Sequence, residues 1–164
     1  MSIEEKIKVF AMLDEMGVPY KVTEHPAVFT IDDMEKLQME HIDKVAKNLF
    51  VRDDKKQSYF LLVLRKNKAA NLKEIQHKIG SRRLSFASES DLGKILGLQK
   101  GEVTPFGAIN DSDNAVTVIV DKDLANFDFI GVHPNDNTAT VWISVNDLAK
   151  VLKSLNHEIV YVDL

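Results

Sequence analysis

Residues 44–64 read KVAKNLFVRDDKKQSYFLLVL, two apolar runs joined by a short polar segment. Residues 44–52 predict one strand, and the uninterrupted apolar run at 59–64 predicts a second, buried one. The polar residues 53–57 leave room for only a tight connection, so we expect the two strands to form an antiparallel hairpin.

Helices and further strands are predicted on both sides of this hairpin, from capping residues and apolar periodicity. The helices are expected at 2–16, 30–38, 71–80, 88–97 and 144–155, and the strands at 20–24, 115–120, 127–132, 138–143 and 158–162. Strands and helices mix without strict alternation, which favours an α+β fold. We expect a single domain over residues 1–164, with a curved, largely antiparallel mixed sheet surrounded by helices.

The composition is that of an ordinary folded chain, with 45% hydrophobic and 28% charged residues. There is no cysteine, which excludes disulfides, thiolate catalysis and cysteine-ligated zinc. The first ten residues lack the apolar block of a secretory signal, and no apolar run is long enough for a membrane span. We therefore expect a cytoplasmic protein without a membrane partner.

Charge is distributed unevenly along the chain. Residues 44–83 hold twelve Lys or Arg against three Asp or Glu, a balance of +9, and the remainder holds nine against twenty-two, a balance of -13. A basic third within an acidic protein fits a local contact with phosphates. The same pattern also fits a solvated surface whose lysines only confer solubility.

Several kinds of chemistry have no counterpart in this sequence. The phosphate loop GxxxxGK[ST], the dinucleotide motif GxGxxG and the nucleophile elbow GxSxG are all missing. The five histidines are scattered, with no pair at the spacing of metal ligands. We therefore expect no metal site and no cofactor.

Lys47 lies inside the first strand of the hairpin, on the face that also carries Leu49 and Val51. Both faces of that strand are mostly apolar, so Lys47 is expected beside the core, where a cation needs a partner or a catalytic role. The alternative is an edge lysine whose ammonium group reaches solvent.

The loop at 131–137, GVHPNDN, joins two predicted strands. Its glycine permits close backbone approach, its proline stiffens the chain, and its histidine and asparagines offer hydrogen-bonding groups. The loop is therefore either a binding loop or an ordinary polar turn.

Four stretches carry a resemblance to a known family: KNLF at 47–50, RLSFAS at 83–88, TPFGAIN at 104–110 and GVHPNDNTAT at 131–140. In this order and spacing they resemble the bacterial prolyl-tRNA editing family. Its members are freestanding alanyl-tRNA(Pro) deacylases, related to the editing insertion of prolyl-tRNA synthetases and to Cys-tRNA deacylases. The resemblance implies an aminoacyl-tRNA deacylase-like fold and hydrolysis of alanine wrongly attached to proline tRNA, without a cofactor.

The resemblance also implies roles for individual residues. Lys47 matches the active-site lysine of the family. Residues expected to bind the amino acid or the end of its tRNA are Thr30, Ile31, Gly131, His133, Pro134 and Asn137. Arg82 and Arg83 are expected near the tRNA acceptor end. Val51 and Val132 stand where larger apolar residues are typical of the family.

Alternatives remain for both mechanism and function. Lys47 either stabilises the developing oxyanion as a cation or acts as a base after its pKa is lowered. The chain is either an alanine deacylase, a Cys-tRNA deacylase of the same fold, or a noncatalytic module that binds RNA or a synthetase. The expected partners are the acceptor end of mischarged tRNA(Pro) and, as a candidate, prolyl-tRNA synthetase, but not DNA.

Overall fold

The structure is a computed structural model that describes residues 3–164, so the helix cap expected at Ser2 lies outside the described residues. Within that range the strands form two sheets. Their bounds are β1 (Lys21–Glu24), β2 (Ala46–Asp53), β3 (Tyr59–Arg65), β4 (Leu84–Phe86), β5 (Val116–Asp121), β6 (Ile130–Val132), β7 (Ala139–Ile143) and β8 (Ile159–Val162).

The larger sheet has the order β4-β2-β3-β5-β8 and the smaller one the order β1-β7-β6. The expected hairpin of β2 and β3 is confirmed, with Lys47 opposite Leu64. Strands β3, β5 and β8 are parallel, and the other pairs are antiparallel. The α+β class and the mixed, largely antiparallel pairing are thus confirmed, but the strands divide into two sheets that meet at a bridge between Val45 and Gly131.

The helices after the first begin where the sequence places their caps. The helix bounds are α1 (Ile3–Met16), α2 (Ile31–Lys36), α3 (Leu72–Ile79), α4 (Glu89–Asp91) and α5 (Val145–Ser154). The side chains of Thr30, Asn71 and Ser144 each accept a hydrogen bond from the amide three residues later. Helix α4 continues as a π-helix at Leu92–Leu96, and 3-10 helices lie at Ile42–Lys44, Pro105–Asn110 and Lys122–Asn126.

Three apolar clusters hold these elements together. The main core lies between the two sheets and includes Phe50, Val118 and Val141 together with residues of α1 and α5. A second cluster fills the other face of the larger sheet beneath α3. The third cluster, which includes Met34 and Trp142, lies between α2 and the outer face of the smaller sheet.

Two short strands, β6 and β4, differ from what the sequence predicted. Strand β6 begins only at Ile130, because the amide of Phe127 donates to Leu124 O and closes the preceding 3-10 helix. The short strand β4 was not expected, and it pairs with Val51–Asp53 at the end of β2. Over the described residues, none of the helices has the length and apolar character needed to cross a bilayer.

Candidate functional site

A cavity of about 250 Å³, the first cavity, opens where the two sheets meet. Its wall combines the beginning of β2, the beginning of α2, strand β6 and residues near position 101. Five of the residues expected from the sequence line it: Thr30, Ile31, Lys47, Gly131 and His133. Most of the remaining lining is aliphatic, so the cavity suits a small apolar group beside a few polar ones.

Lys47 reaches the cavity from β2, and its Nζ donates a hydrogen bond to the backbone carbonyl of Lys68. Among residues 3–164 no carboxylate lies within ion-pair distance of this Nζ. Burial lowers the pKa of the Lys47 ammonium from its ordinary value of 10.5. The side chain is therefore a partly desolvated cation that is not neutralised by a partner within that range.

Gly131, on strand β6, forms another part of the wall of the first cavity. A Cβ at this position would lie 2.6 Å from Trp142 Cζ3 and 2.9 Å from Thr140 Cγ2, closer than real side chains approach. The glycine is needed here because the neighbouring strand β7 places two side chains against its backbone.

His133 follows β6 and is fixed from two sides. Its Nδ1 lies 3.0 Å from Ala139 O, and because a carbonyl can only accept, Nδ1 carries the proton. The Thr104 hydroxyl donates to the backbone carbonyl of His133 at 2.6 Å. Burial lowers the pKa of the imidazole from its ordinary 6.5, so the ring is neutral at pH 7 and its Nε2 is a hydrogen-bond acceptor.

The other two residues expected in the binding loop lie outside the cavity lining. Asn137 is buried, and its side-chain Nδ2 donates to Val28 O at 2.9 Å. Its backbone carbonyl accepts from Val28 N at 3.1 Å. Pro134 is also buried. Asn137 thus fastens the loop to the cavity wall at Val28 and presents no group to the cavity.

Arg82 and Arg83 lie at the opposite end of β2 from Lys47. They precede β4, whose Leu84 is opposite Asp53, six residues along the strand and so about 20 Å from Lys47. Both are exposed, and Arg82 holds Asp54 through contacts of 2.7 and 3.2 Å, which lowers the pKa of that carboxyl. The structure therefore places the two arginines on the outer surface and does not bring them to the cavity.

Two polar residues that were given no role from the sequence, Asn48 and Thr140, also line the cavity. Asn48 Oδ1 is buried without a hydrogen-bond partner among the described residues. Thr140 presents its hydroxyl to His25 Nε2 at 3.0 Å. The local sequence signal for Asn48 was its place beside Lys47, but period-two alternation put the two side chains on opposite faces of the strand.

One acidic group among the described residues has oxygens close enough to hold a metal ion: Asp121, Asp123 and Asp163. The ammonium of Lys68 already lies 2.6 Å from Asp121 Oδ2 and 2.9 Å from Asp123 Oδ2. The charge of this group is thus balanced in part by a lysine, and the arrangement braces the segment whose carbonyl contacts Lys47.

Comparison with known proteins identifies the family of this chain. Residues 25–151 match the family described as the aminoacyl-tRNA editing domain. The prolyl-tRNA editing protein ProX of Acetoanaerobium sticklandii is 47% identical over 154 residues, which cover 94% of each chain. The prolyl-tRNA synthetase associated domain-containing protein 1 of Danio rerio is 32% identical, over 88% of this chain and 79% of its own.

A solved structure described as a candidate trans-editing enzyme for prolyl tRNA synthetase has the same fold. The TM-score is 0.73 at 16% identity, and the match covers 99% of this chain and 98% of that one.

Proposed function

The chain belongs to the aminoacyl-tRNA editing domain family, and on that premise we propose that it hydrolyses the ester joining alanine to mischarged tRNA(Pro), acting in trans. The observation that carries this proposal is the position of Lys47: a partly buried cation, without a carboxylate partner among the described residues, at the edge of a small apolar cavity. The family supplies the reaction class, and the cavity supplies a place for a small side chain.

Hydrolysis of an aminoacyl ester needs a positioned water and stabilisation of the negative charge that develops on the carbonyl oxygen. A preorganised ammonium group in a partly water-excluded site provides that stabilisation without a metal or a covalent nucleophile. The contact with Lys68 O uses one N–H of Lys47 and orients the others. In this proposal Lys47 acts as a cation. Its ammonium group is oriented by Lys68 O and keeps its positive charge, and both properties allow it to stabilise an oxyanion.

His133 and Asn48 provide the complementary acceptors. Neutral His133 offers Nε2 as an acceptor for the attacking water or for a ribose hydroxyl at the tRNA end. We propose that Asn48, which lines the same cavity, turns its buried and unpartnered Oδ1 toward the α-ammonium group of the bound amino acid and accepts a hydrogen bond from it. Such a contact relieves the cost of a buried polar atom and fixes the direction from which the ester enters.

The decisive test is hydrolysis of tRNA(Pro) charged with alanine, cysteine or proline, measured in single turnover with the purified protein. We expect rapid release of alanine and slow release of proline. Faster release of cysteine than of alanine would instead indicate a Cys-tRNA deacylase. Binding of tRNA without release of any amino acid would indicate a noncatalytic module.

The setting of the reaction follows from the same proposal. The substrate is the acceptor end of a tRNA, so the protein works in the cytoplasm, where the tRNA is charged. Prolyl-tRNA synthetase is the proposed source of the mischarged tRNA and a candidate partner. Co-purification of the two proteins with and without tRNA(Pro) tests this, and a lack of association under both conditions would limit the synthetase to supplying substrate.

A further inference from the structure

A second cavity, of about 360 Å³, lies on the outer face of the smaller sheet, and we propose that it binds a nucleobase from the single-stranded end of the tRNA. Its aromatic lining comes from Tyr20, His41, Phe129 and Trp142. The inference rests on the proposed function, since it assumes that the ligand of the first cavity is attached to an RNA.

Three of these rings form one edge-to-face cluster. The centroid of His41 lies 5.0 Å from that of Phe129 and 6.1 Å from that of Trp142, and the last two are 5.9 Å apart. The indole nitrogen of Trp142 donates to Thr23 Oγ1 at 2.9 Å, and this buried ring, 8% exposed, supports the more exposed rings of His41 and Phe129. Fixed aromatic rings beside an open cavity form a stacking platform for a flat heterocycle.

The charged groups around this platform suit a nucleotide. Lys44 Nζ lies 4.2 Å from the centroid of Phe129, and Lys21 lines the cavity. A phosphate would attract both ammonium groups, and an entering base would take the place of Lys44 on the ring. The carboxylate of Asp147 also lines the cavity, and it favours bases with an exocyclic amino group, because it can only accept hydrogen bonds.

The second cavity lies one step along β7 from the first. Thr140 lines the first cavity and Trp142 the second, and a Cβ built on Gly131 would touch both, so they share one face of the sheet. Residues two apart on a strand are separated by about 7 Å. An ester bound in the first cavity therefore places the adjoining nucleotide within reach of the aromatic cluster.

The position of the His41 ring gives further support. This residue has a φ of 63°, and five other described non-glycine residues also lie in the left-handed region, so its backbone conformation alone does not indicate a ligand. Its ring, however, packs against Phe129 and Trp142 at the mouth of the cavity. Its side chain is 44% exposed, so it is accessible to a ligand.

The test uses Trp142, the one tryptophan in the sequence, as its own reporter. The ligand is an uncharged RNA minihelix with the acceptor stem of tRNA(Pro) and its single-stranded 3′ end, compared with minihelices that lack the last one, two or three nucleotides. We expect quenching of Trp142 fluorescence by the complete minihelix and loss of that quenching as the 3′ nucleotides are removed. Equal quenching by all four RNAs, or none, would overturn the proposal.

Two variants extend the test to the rings. His41→Ala and Phe129→Ala should each weaken binding of the complete minihelix by roughly 5- to 150-fold, the range for loss of one base–aromatic stack. Tyr161→Ala removes a comparably exposed aromatic ring from the larger sheet and should leave the affinity unchanged. Equal affinity of wild type and both ring variants would exclude stacking at this site.

The two proposals can fail separately. Wild-type protein that releases alanine from tRNA(Pro) but shows no RNA-dependent quenching would remove the second site and leave the function intact. Quenching that needs the 3′ nucleotides, in a protein that releases no amino acid, would support the site and remove the function. Quenching by prolyl-tRNA synthetase and not by RNA would assign the second cavity to a protein partner and overturn the proposal that it binds a nucleobase.

Discussion

Lys47 donates its hydrogen bond to the backbone carbonyl of Lys68, so the position of one lysine depends on the segment that carries the other. That segment is braced, because the ammonium of Lys68 contacts Asp121 and Asp123. The two lysines are thus treated differently by the fold: Lys68 is neutralised by carboxylates, and Lys47 is left with a neutral acceptor. The charge of Lys47 is therefore available to stabilise an oxyanion.

Lys47→Ala should lower the single-turnover rate of alanine release by about 10²–10³-fold, the usual cost of losing one transition-state stabiliser. The protein should remain folded, since the side chain is only partly buried and the neighbouring core residues are unchanged. Lys153→Ala, which removes an exposed lysine of α5 outside the basic third, is the control. A Lys47→Ala rate close to that of Lys153→Ala would exclude the catalytic role.

Gly131→Ala should destabilise the protein by about 1–3 kcal/mol, the typical cost of forcing extra atoms into a packed site. The added Cβ would meet Trp142 and Thr140, so alanine release should fall as well. The matched control is Gly93→Ala, where the nearest atom to a new Cβ is Leu98 O at 3.9 Å. Chemical denaturation measures the free energy of unfolding of both variants. Equal stability of the two would show that strand β6 accommodates the added side chain.

The sequence anticipates those parts of the fold that local chemistry controls. Thr30, Asn71 and Ser144 begin helices because a side-chain oxygen and an amide three residues later are neighbours in the chain. The hairpin of β2 and β3 needs only a short polar connection between two apolar runs. Both features are readable without knowledge of the rest of the molecule.

Long-range contacts account for what the sequence does not reveal. The division into two sheets depends on pairings such as β1 with β7, more than a hundred residues apart. Asn137 was expected at the substrate because asparagine in a loop offers hydrogen bonds, but its amide is used by Val28, from a distant segment. Asn48 was given no role because strand alternation puts neighbouring side chains on opposite faces. At the beginning of β2 the cavity is nevertheless lined by both Lys47 and Asn48.

Acidification should reveal the neutral state of the partly buried His133 imidazole. Burial lowers the pKa of this imidazole in the folded chain, whereas the unfolded chain binds a proton near pH 6.5. As the pH falls through 6.5, the unfolded state takes up the proton first, so the free energy of unfolding decreases. Glu102 acts in the opposite direction, since burial raises its carboxyl pKa and its contribution is lost as the pH rises through that value.

His133→Gln should therefore lose less stability than wild type between pH 7 and pH 5, because glutamine does not titrate. Urea unfolding at a series of pH values measures this, and the difference between variant and wild type removes the contribution of Glu102. His77→Gln, at an exposed position, serves as the control. Identical pH profiles for all three proteins would exclude a lowered pKa of the imidazole at position 133.

Arg83→Ala should weaken binding of tRNA and reduce its salt dependence by about one phosphate contact, if the basic third of the chain faces the RNA. Arg83 is exposed and lies about 20 Å from Lys47, so the contact would be to the stem and not to the ester. Affinity measured across a salt series provides both quantities. An unchanged salt slope would mean that the RNA approaches the first cavity from another side.

Ile31→Ala should reduce discrimination between alanine and proline. Ile31 opens α2, where Thr30 caps the helix and the amide of Phe29 donates to Asp33 at 3.0 Å, so its side chain is held in the wall of the first cavity. The cavity of about 250 Å³ has to receive the ester and part of the terminal ribose as well as the amino-acid side chain, so we expect the space beside Ile31 to limit the size of that side chain. Proline is then rejected by its size, and the methyl group of alanine fits.

Shortening the side chain at position 31 removes part of the barrier to proline. Because one methylene is worth about 10- to 200-fold in such pockets, release of proline should rise by about tenfold or more. Release of alanine should change less, since its side chain does not need the added space. The measured quantity is the ratio of single-turnover rates on alanine- and proline-charged tRNA(Pro). Ile7→Ala, on the exposed face of α1, should leave that ratio unchanged. A wild-type ratio near one, or an Ile31→Ala ratio equal to that of Ile7→Ala, would exclude selection by size in this cavity.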